Sequence, residues 1–137
     1  MRRGVAVTNA EHRELLDRLR PARRVLIVDD HPSFRRCARA LLTEEGFEVV
    51  GEAEDGETGL ELAVELEPAL VLLDVQLPDL DGLQVAERML ARDPELAIVL
   101  VSSRDRSAYG GRIEASGARG FVFKGDLSGA ALAELLE

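Results

Sequence analysis

Acidic, hydroxyl and ammonium side chains stand at the ends of four short apolar segments of this 137-residue chain. Asp29 and Asp30 follow one segment, Asp74 ends a second, Ser102 ends a third, and Lys124 follows a fourth. Carboxylates ~4 Å apart would repel in pairs by about 1 to 4 kcal/mol, and a hard divalent cation removes that repulsion. An ammonium and a hydroxyl are suited to phosphate oxygens. The residue types therefore predict a site for a cation and a phosphoryl group, if the fold gathers these four ends.

Mg²⁺ is the cation that these ligands favour, and Mn²⁺ could substitute for it. Mg²⁺ accepts a few carboxylate oxygens and keeps water positions that phosphate oxygens can take, whereas a Ca²⁺ site would need more oxygen ligands. Zn²⁺ is disfavoured because the chain has one cysteine, Cys37, and no neighbouring pair of histidines. The single thiol also excludes an intrachain disulfide, and we expect Cys37 to be a small buried residue.

Lys124 is the only lysine of the chain, beside sixteen arginines. An ammonium acts as a compact point charge on a phosphoryl oxygen, whereas the planar guanidinium of arginine has a different reach and geometry. In a chain so biased towards arginine, this lysine indicates a position that needs an ammonium. A lysine placed there by chance is the alternative.

Segments rich in β-branched residues alternate with segments of helical periodicity, which is typical of βαβ units and a parallel sheet. The predicted strands cover residues 24–29, 47–53, 69–74, 97–102 and 119–123. The predicted helices cover residues 33–45, 56–66, 82–92, 104–116 and 127–136. Asp81 is the expected cap of the third helix. Gly110 and Gly111 weaken the fourth, which indicates either a frayed or broken helix or a low-stability element beside Ser102 that a bound phosphoryl group could shift.

The order of the strands follows from their polarity. The first, third and fourth are apolar on both faces and belong in the centre, whereas Glu48 and Glu52 place the second at an edge. Right-handed crossovers then favour an α/β fold, a flavodoxin-like doubly wound (βα)5 sandwich with strand order 2-1-3-4-5. In that order the carboxyl ends of strands one, three, four and five are neighbours, so the polar residues named above should converge.

Composition and charge restrict the classes of function. The length suits one domain with its own core, and no apolar run approaches the roughly 20 residues of a bilayer crossing, so we expect a cytoplasmic protein without a membrane partner. Residues 1–24 hold seven arginines and three acids, which leaves the remainder of the chain with a charge of about −13. Direct nucleic-acid binding by that acidic body is not expected. Residues 1–22 are predicted to be an N-terminal extension, either a short amphipathic helix over 9–20 or a flexible tail.

Four motifs carry a resemblance to a known family. VLIVDDHPSF at 25–34, LLDVQLPDLDG at 72–82, IVLVS at 98–102 and GFVFK at 120–124 resemble the receiver domains of two-component response regulators, which are CheY-like. They are most similar to receivers of the NarL/FixJ group, which usually precede a LuxR-type helix-turn-helix output. The resemblance covers residues 24–136 and implies a receiver domain at 23–137. Gly125 departs from the proline that many receivers have after the lysine, which puts the details of that loop in doubt.

The resemblance implies a role for each residue of the site. Asp74 would be the phosphoacceptor, and Asp29 and Asp30 would be the acidic pair that positions Mg²⁺ together with Asp74. Gln76 would offer its backbone carbonyl to the metal.

The same resemblance assigns the switch. Ser102 would bind the new phosphoryl group, Lys124 would pair with it, and Phe121 would be the aromatic residue that moves inward on activation. Ser103 is small and would leave the approach to Asp74 open. His31 borders the site, and we expect it to be a solvated loop residue.

The resemblance also implies partners. A sensor histidine kinase would supply the phosphoryl group, and a downstream protein or a second copy of the chain would bind the face formed by helix four, strand five and helix five. The chain would be a stand-alone receiver or part of a longer transcriptional regulator, and it would not be an enzyme beyond its own phosphorylation and dephosphorylation.

Two other functions remain open at this point. One is a phosphatase with an aspartate nucleophile, which predicts a second aspartate where this chain has Gln76. The other is a receiver-like module that binds partners without phosphorylation.

Overall fold

The computed structural model of the protein describes residues 24–136, so the predicted extension at 1–22 lies outside the described range. The strands are β1 Arg24–Val28, β2 Glu48–Ala53, β3 Leu70–Asp74, β4 Ala97–Ser102 and β5 Gly120–Phe123. The helices are α1 Pro32–Glu44, α2 Gly56–Leu66, α3 Gly82–Arg92, α4 Arg112–Ala115 and α5 Gly129–Leu136, with 3₁₀ helices at Arg106–Tyr109 and Lys124–Asp126. This alternation confirms the predicted doubly wound α/β fold.

All five strands belong to one parallel sheet of order β2-β1-β3-β4-β5, as predicted. Asp74 lies opposite Val101 in the β3–β4 register, and Ser102 lies opposite Phe123 in the β4–β5 register. The carboxyl ends of β1, β3, β4 and β5 therefore meet at one end of the sheet, where ligands bind in open parallel sheets.

The sheet is covered on both faces because successive residues of each central strand point to opposite sides. Leu26 and Val28 join the core with α2, α3 and Ile113 of α4, whereas Val25 and Ile27 join the core with α1 and α5. These four side chains are fully buried, and each contributes about 1.5 to 3 kcal/mol by leaving water. Two apolar layers thus hold the sheet rigid behind the polar end.

The edge strand β2 is polar and is tied to α1. Glu48 is exposed, while Glu52 accepts hydrogen bonds from Arg35 Nε at 3.0 Å and Arg39 Nε at 2.6 Å. Arg35 also donates to the backbone carbonyl of Asp29 at 2.6 Å, which holds the end of β1 in place. The edge position predicted from the two glutamates is confirmed.

Carboxylates cap the helices that leave the polar end of the sheet. Asp81 accepts a hydrogen bond from Leu83 N–H at 2.9 Å and caps α3, which confirms the predicted cap. Asp79 accepts from the first two N–H groups of α2, those of Gly56 at 2.8 Å and Glu57 at 3.0 Å. These two bonds lower the pKa of the Asp79 carboxyl below its ordinary value of 3.8. They also connect the loop after β3 to the start of α2.

Two local predictions differ from the structure. The fourth helix is not continuous over 104–116: a 3₁₀ helix ends at Tyr109, Gly110 takes a positive φ of 57°, and α4 begins at Arg112. Glycine adopts that φ without strain, so the helix is broken at the glycine pair. A broken helix was one of the two predicted alternatives. Cys37 is exposed, so its predicted burial is wrong; in α1 the buried positions are Ala38 and Leu42 instead.

Two further points concern the described residues alone. The peptide bond between Lys124 and Gly125 is trans. Among the helices of residues 24–136, none has the length and apolar character that a bilayer crossing requires.

Candidate functional site

The structure brings together the acidic and ammonium side chains that the sequence singled out. Asp29 and Asp30 follow β1, Asp74 ends β3, and Lys124 follows β5. Asp29 is fully buried and Asp74 is 2% exposed, whereas Asp30 is partly exposed at the mouth of the site. Their convergence is the direct result of the strand order.

Lys124 contacts both buried carboxylates. Its Nζ lies 2.7 Å from Asp29 Oδ2 and 3.2 Å from Asp74 Oδ2. The same nitrogen stands 4.6 Å from the centre of the Phe34 ring, close enough for a cation–π interaction. With 13% of its side chain exposed, this ammonium is held in a defined position rather than extended into solvent.

Three carboxylates exceed the charge that one ammonium can balance, and two of their oxygens lack hydrogen bonds. Asp29 Oδ2 and Asp30 Oδ1 are buried without a hydrogen-bond partner. Lys124 Nζ lies within ion-pair distance of Asp29 Oδ2, but the contact does not have the direction of a hydrogen bond. Buried polar oxygens of this kind are normally satisfied, by protein, water or an ion.

A divalent cation fits this set of oxygens. Ligand atoms of Asp29, Asp30, His31 and Asp74 all lie within 4.8 Å of one another. Carboxylate oxygens are the ligands that Mg²⁺ prefers. The two oxygens without hydrogen bonds are thus suited to a cation, in agreement with the sequence-based prediction.

Asp74 differs from an ordinary surface aspartate in its protonation. Burial, and in addition the negative charge of Asp29, raise the pKa of the Asp74 carboxyl from 3.8 to about 6. The Gln76 N–H, which donates to Asp74 Oδ1 at 3.1 Å, and the Lys124 ammonium act in the opposite direction. The carboxylate is therefore destabilised in the absence of further positive charge, and a nearby cation would favour it.

His31 is exposed, as expected of a loop residue, but its contacts with the site were not foreseen. Its Nδ1 lies 3.1 Å from Asp29 Oδ1 and from Asp30 Oδ1, and 3.4 Å from Lys124 Nζ. Its backbone N–H donates to Asp29 Oδ1 at 2.8 Å. The position of His31 directly after the acidic pair was the available signal, because backbone geometry keeps such neighbours close.

Ser102 lies at the end of β4 beside the site, fully buried, and makes two hydrogen bonds. Its Oγ accepts from Arg104 N–H at 2.9 Å and lies 2.6 Å from the hydroxyl of Tyr109. The Tyr109 ring is 6.1 Å from that of Phe121, the predicted mobile aromatic residue, which is half-buried. Tyr109 was not among the predicted site residues. Its being the only tyrosine of the sequence was the one available signal.

Two predicted roles beside Asp74 stay predictions. Gln76 is exposed, and nothing in the structure tests the predicted role of its carbonyl as a metal ligand; Ser103 is exposed as well, and its role also stays a prediction.

The loop after β3 packs closely against the backbone at the end of that strand. Gly82 N–H donates to the Val75 carbonyl at 2.7 Å. A Cβ at Gly82 would collide with the carbonyl oxygen of Asp74 and with Val75 Cα, which would be 2.7 Å away. Only glycine permits this approach to the phosphoacceptor strand.

Comparison with known proteins agrees with this geometry. A family model described as the response regulator receiver domain matches residues 25–136. The transcription regulator BvgA of Bordetella pertussis is 44% identical over 101 residues, which cover 74% of this chain and 48% of BvgA. The response regulator GacA of Pseudomonas viridiflava is 36% identical over 115 residues, covering 83% of this chain and 52% of GacA. The chain spans about half the length of the curated relatives it matches.

Solved structures give the same result. The signal receiver domain of the response regulator NarL from Mycobacterium tuberculosis superposes with a TM-score of 0.70 at 38% identity, covering 82% of this chain and 94% of that one. CheY in a CheX–CheY–BeF3–Mg complex from Borrelia burgdorferi gives a TM-score of 0.75 at 24% identity, covering 82% and 85% of the two chains. The second likeness concerns the fold alone.

Proposed function

The chain belongs to the response regulator receiver domain family of two-component systems, and on that basis we propose that it is a switch operated by phosphorylation of Asp74. The observation that carries the proposal is the contact of one lysine with two buried carboxylates, beside acidic oxygens that lack hydrogen bonds. This arrangement leaves negative charge uncompensated at the place where a cation and a phosphoryl group would bind.

The proposed step is an in-line displacement at phosphorus. An Asp74 carboxylate oxygen forms a bond to the phosphorus atom of the donor, while the bond from phosphorus to the leaving group breaks and the leaving group keeps the electron pair. Lys124 stabilises the negative charge on the phosphoryl oxygens, and Ser102 donates a hydrogen bond to the product. Asp29, Asp30 and Asp74, with the Gln76 carbonyl, would hold Mg²⁺, which supplies when bound the positive charge that these groups and the phosphoryl oxygens require.

The phosphoryl group adds charge and hydrogen-bond acceptors at the carboxyl end of the sheet. We expect Ser102 and Lys124 to be drawn towards it and Phe121 to move inward, so that the surface of α4, β5 and α5 changes. A sensor histidine kinase would be the physiological donor in the cytoplasm. A downstream protein or a second copy of the chain would bind the altered surface.

The relatives suggest the wider setting. BvgA is named a transcription regulator, and this chain matches about half of its length. We propose that the described domain is the regulatory half of such a protein or a receiver that acts alone. In either setting we expect no enzymatic activity beyond its own phosphorylation and dephosphorylation.

Incubation with a small acyl phosphate, with and without Mg²⁺, tests the proposal directly. We expect the intact mass of the parent to rise by one phosphoryl group only in the presence of Mg²⁺, and the Asp74→Asn variant to show no such rise. Asp93→Asn is a matched control, because Asp93 is exposed at the opposite end of the sheet, and it should be labelled like the parent.

Each remaining function predicts a different result from the same mixture. A phosphatase with an aspartate nucleophile would release phosphate from the donor in large excess over its own labelling. A module that binds partners without phosphorylation would stay unlabelled although folded. Equal labelling of the parent and of Asp74→Asn would remove Asp74 from its assigned role.

A further inference from the structure

Tyr109 contacts both residues to which the proposed switch assigns movement. Its hydroxyl is 2.6 Å from Ser102 Oγ, and its ring is 6.1 Å from the ring of Phe121, with an angle of 56° between the planes. Tyr109 is 9% exposed and belongs to the core that includes Val75 and Leu83, which flank the phosphoacceptor loop. Tyr109 thus contacts a residue of β4 and the aromatic Phe121 of β5 at the same time.

The Ser102 hydroxyl can make only a few hydrogen bonds, so its bond to Tyr109 restricts the others that it can make. A serine hydroxyl has one proton and two lone pairs. The Arg104 N–H takes one lone pair, and Tyr109 takes either the other lone pair or the proton. For Ser102 to donate to a phosphoryl oxygen, Tyr109 must therefore become the donor or move away.

The backbone around Tyr109 permits such a movement. Tyr109 is the last residue of a four-residue 3₁₀ helix, and Gly110 and Gly111 separate it from α4. Gly110 has a φ of 57°, and a Cβ at either glycine would meet no atom within 4 Å, so the glycine pair itself is not packed against the body. Glycine gives such a connection its conformational freedom, so Tyr109 can move relative to α4.

We propose that Tyr109 is a positioning residue that holds Ser102 and Phe121 in the unphosphorylated arrangement, and that phosphorylation of Asp74 releases its hydroxyl from Ser102. This inference rests on the proposed function and adds a regulatory contact to it. In the arrangement that we propose, Ser102 donates its one proton to the Tyr109 hydroxyl. Tyr109 then opposes the active state, because that buried hydrogen bond must break before Ser102 can donate the same proton to the phosphoryl group.

The composition of the chain provides a direct readout. Tyr109 is the only tyrosine and there is no tryptophan, so fluorescence excited in the tyrosine band comes from this one side chain. Phenol emission depends on the hydrogen bonding of the hydroxyl group. We expect the emission of the parent to change on addition of acyl phosphate and Mg²⁺, at the rate at which the mass increases, and Asp74→Asn to show no change.

Tyr109→Phe removes the hydroxyl and keeps the ring in the core. We expect this variant, shown to be folded by circular dichroism, to be phosphorylated about two- to tenfold faster than the parent, the range that corresponds to the net strength of one neutral hydrogen bond. In a Ser102→Ala background, where the bond is already lost, the same substitution should change the rate by less than about 1.5-fold.

The outcomes separate the inference from the proposed function. A labelled parent with unchanged emission would overturn the role of Tyr109 and leave phosphorylation of Asp74 in place. Equal or slower labelling of Tyr109→Phe, or the same rate effect in the Ser102→Ala background, would also overturn it. No labelling of the parent would refute the proposed function, and the inference with it.

Discussion

Replacing Asp74 with asparagine should increase the free energy of unfolding at neutral pH in the absence of divalent cations. Asp74 is 2% exposed beside Asp29, and burial together with that neighbouring charge raises its pKa from 3.8 to about 6. The folded protein therefore holds the Asp74 proton more tightly than the unfolded chain. The stability that this proton contributes is fully present below pH 3.8 and is lost as the pH rises through about 6.

The magnitude follows from the two pKa values. The difference between 3.8 and about 6 is about 2.2, which corresponds to about 3 kcal/mol at about 1.4 kcal/mol per pKa unit. An uncharged asparagine avoids this loss. The advantage of Asp74→Asn over the parent should be about 3 kcal/mol at pH 7, about half of that at pH 5 and only a small fraction of it at pH 4.

Denaturant unfolding followed by circular dichroism at these three pH values, with a chelator present, measures the difference. Mg²⁺ should reduce it, because a cation stabilises the folded parent more than the variant, which lacks one carboxylate ligand. Asp93→Asn, at an exposed position, should stay within about 0.5 kcal/mol of the parent. An Asp74→Asn variant no more stable than the parent at pH 7 without metal would refute the view that this carboxylate is destabilised by its surroundings.

Three further substitutions test other parts of the site. Lys124→Arg keeps the charge but not the compact ammonium that fits between the two buried carboxylates, so labelling by acyl phosphate should fall about tenfold or more. Gly82→Ala should slow the same labelling while the variant remains folded, because its Cβ would displace the backbone at Asp74, and labelling at the parental rate would contradict the steric argument. Asp79→Asn should lower the unfolding midpoint more at pH 7 than at pH 3. The pKa of Asp79 is lowered, so the stabilisation from its bonds to α2 is fully present above pH 3.8 and decreases as the pH falls through the lowered pKa. Equal midpoints at pH 7 would exclude that stabilisation.

The topology and the convergence of the site were predictable from the sequence for a common reason. Strands that are apolar on both faces must be central, and Glu48 and Glu52 mark an edge, so few strand orders remain. Once the order was known, Asp74 and Lys124 had to meet, because parallel strands end on the same side. The sequence motifs contain these same residues, because the chemistry of the site requires them at the strand ends.

What the sequence did not predict depends on side-chain direction and on the path of loops. The Ser102–Tyr109 bond forms because the chain after β4 turns back through a short 3₁₀ helix, and no periodicity indicates that turn. Asp79 fits a turn by its residue type, yet it also binds α2, whose start lies more than twenty residues earlier in the sequence. The residue type of Cys37 predicts a core position, whereas α1 turns its neighbour Ala38 towards the core instead.

The charged edge strand has a consequence for how copies of this protein can associate. A further strand added to β2 would have to pack beside Glu52 and the two arginines bound to it, and desolvating such groups is unfavourable. Growth of a sheet through many copies requires both of its edges to accept a strand. Within residues 24–136, strand addition is therefore disfavoured at β2 relative to β5, and association through β5 alone would end with a pair of molecules instead of a fibre.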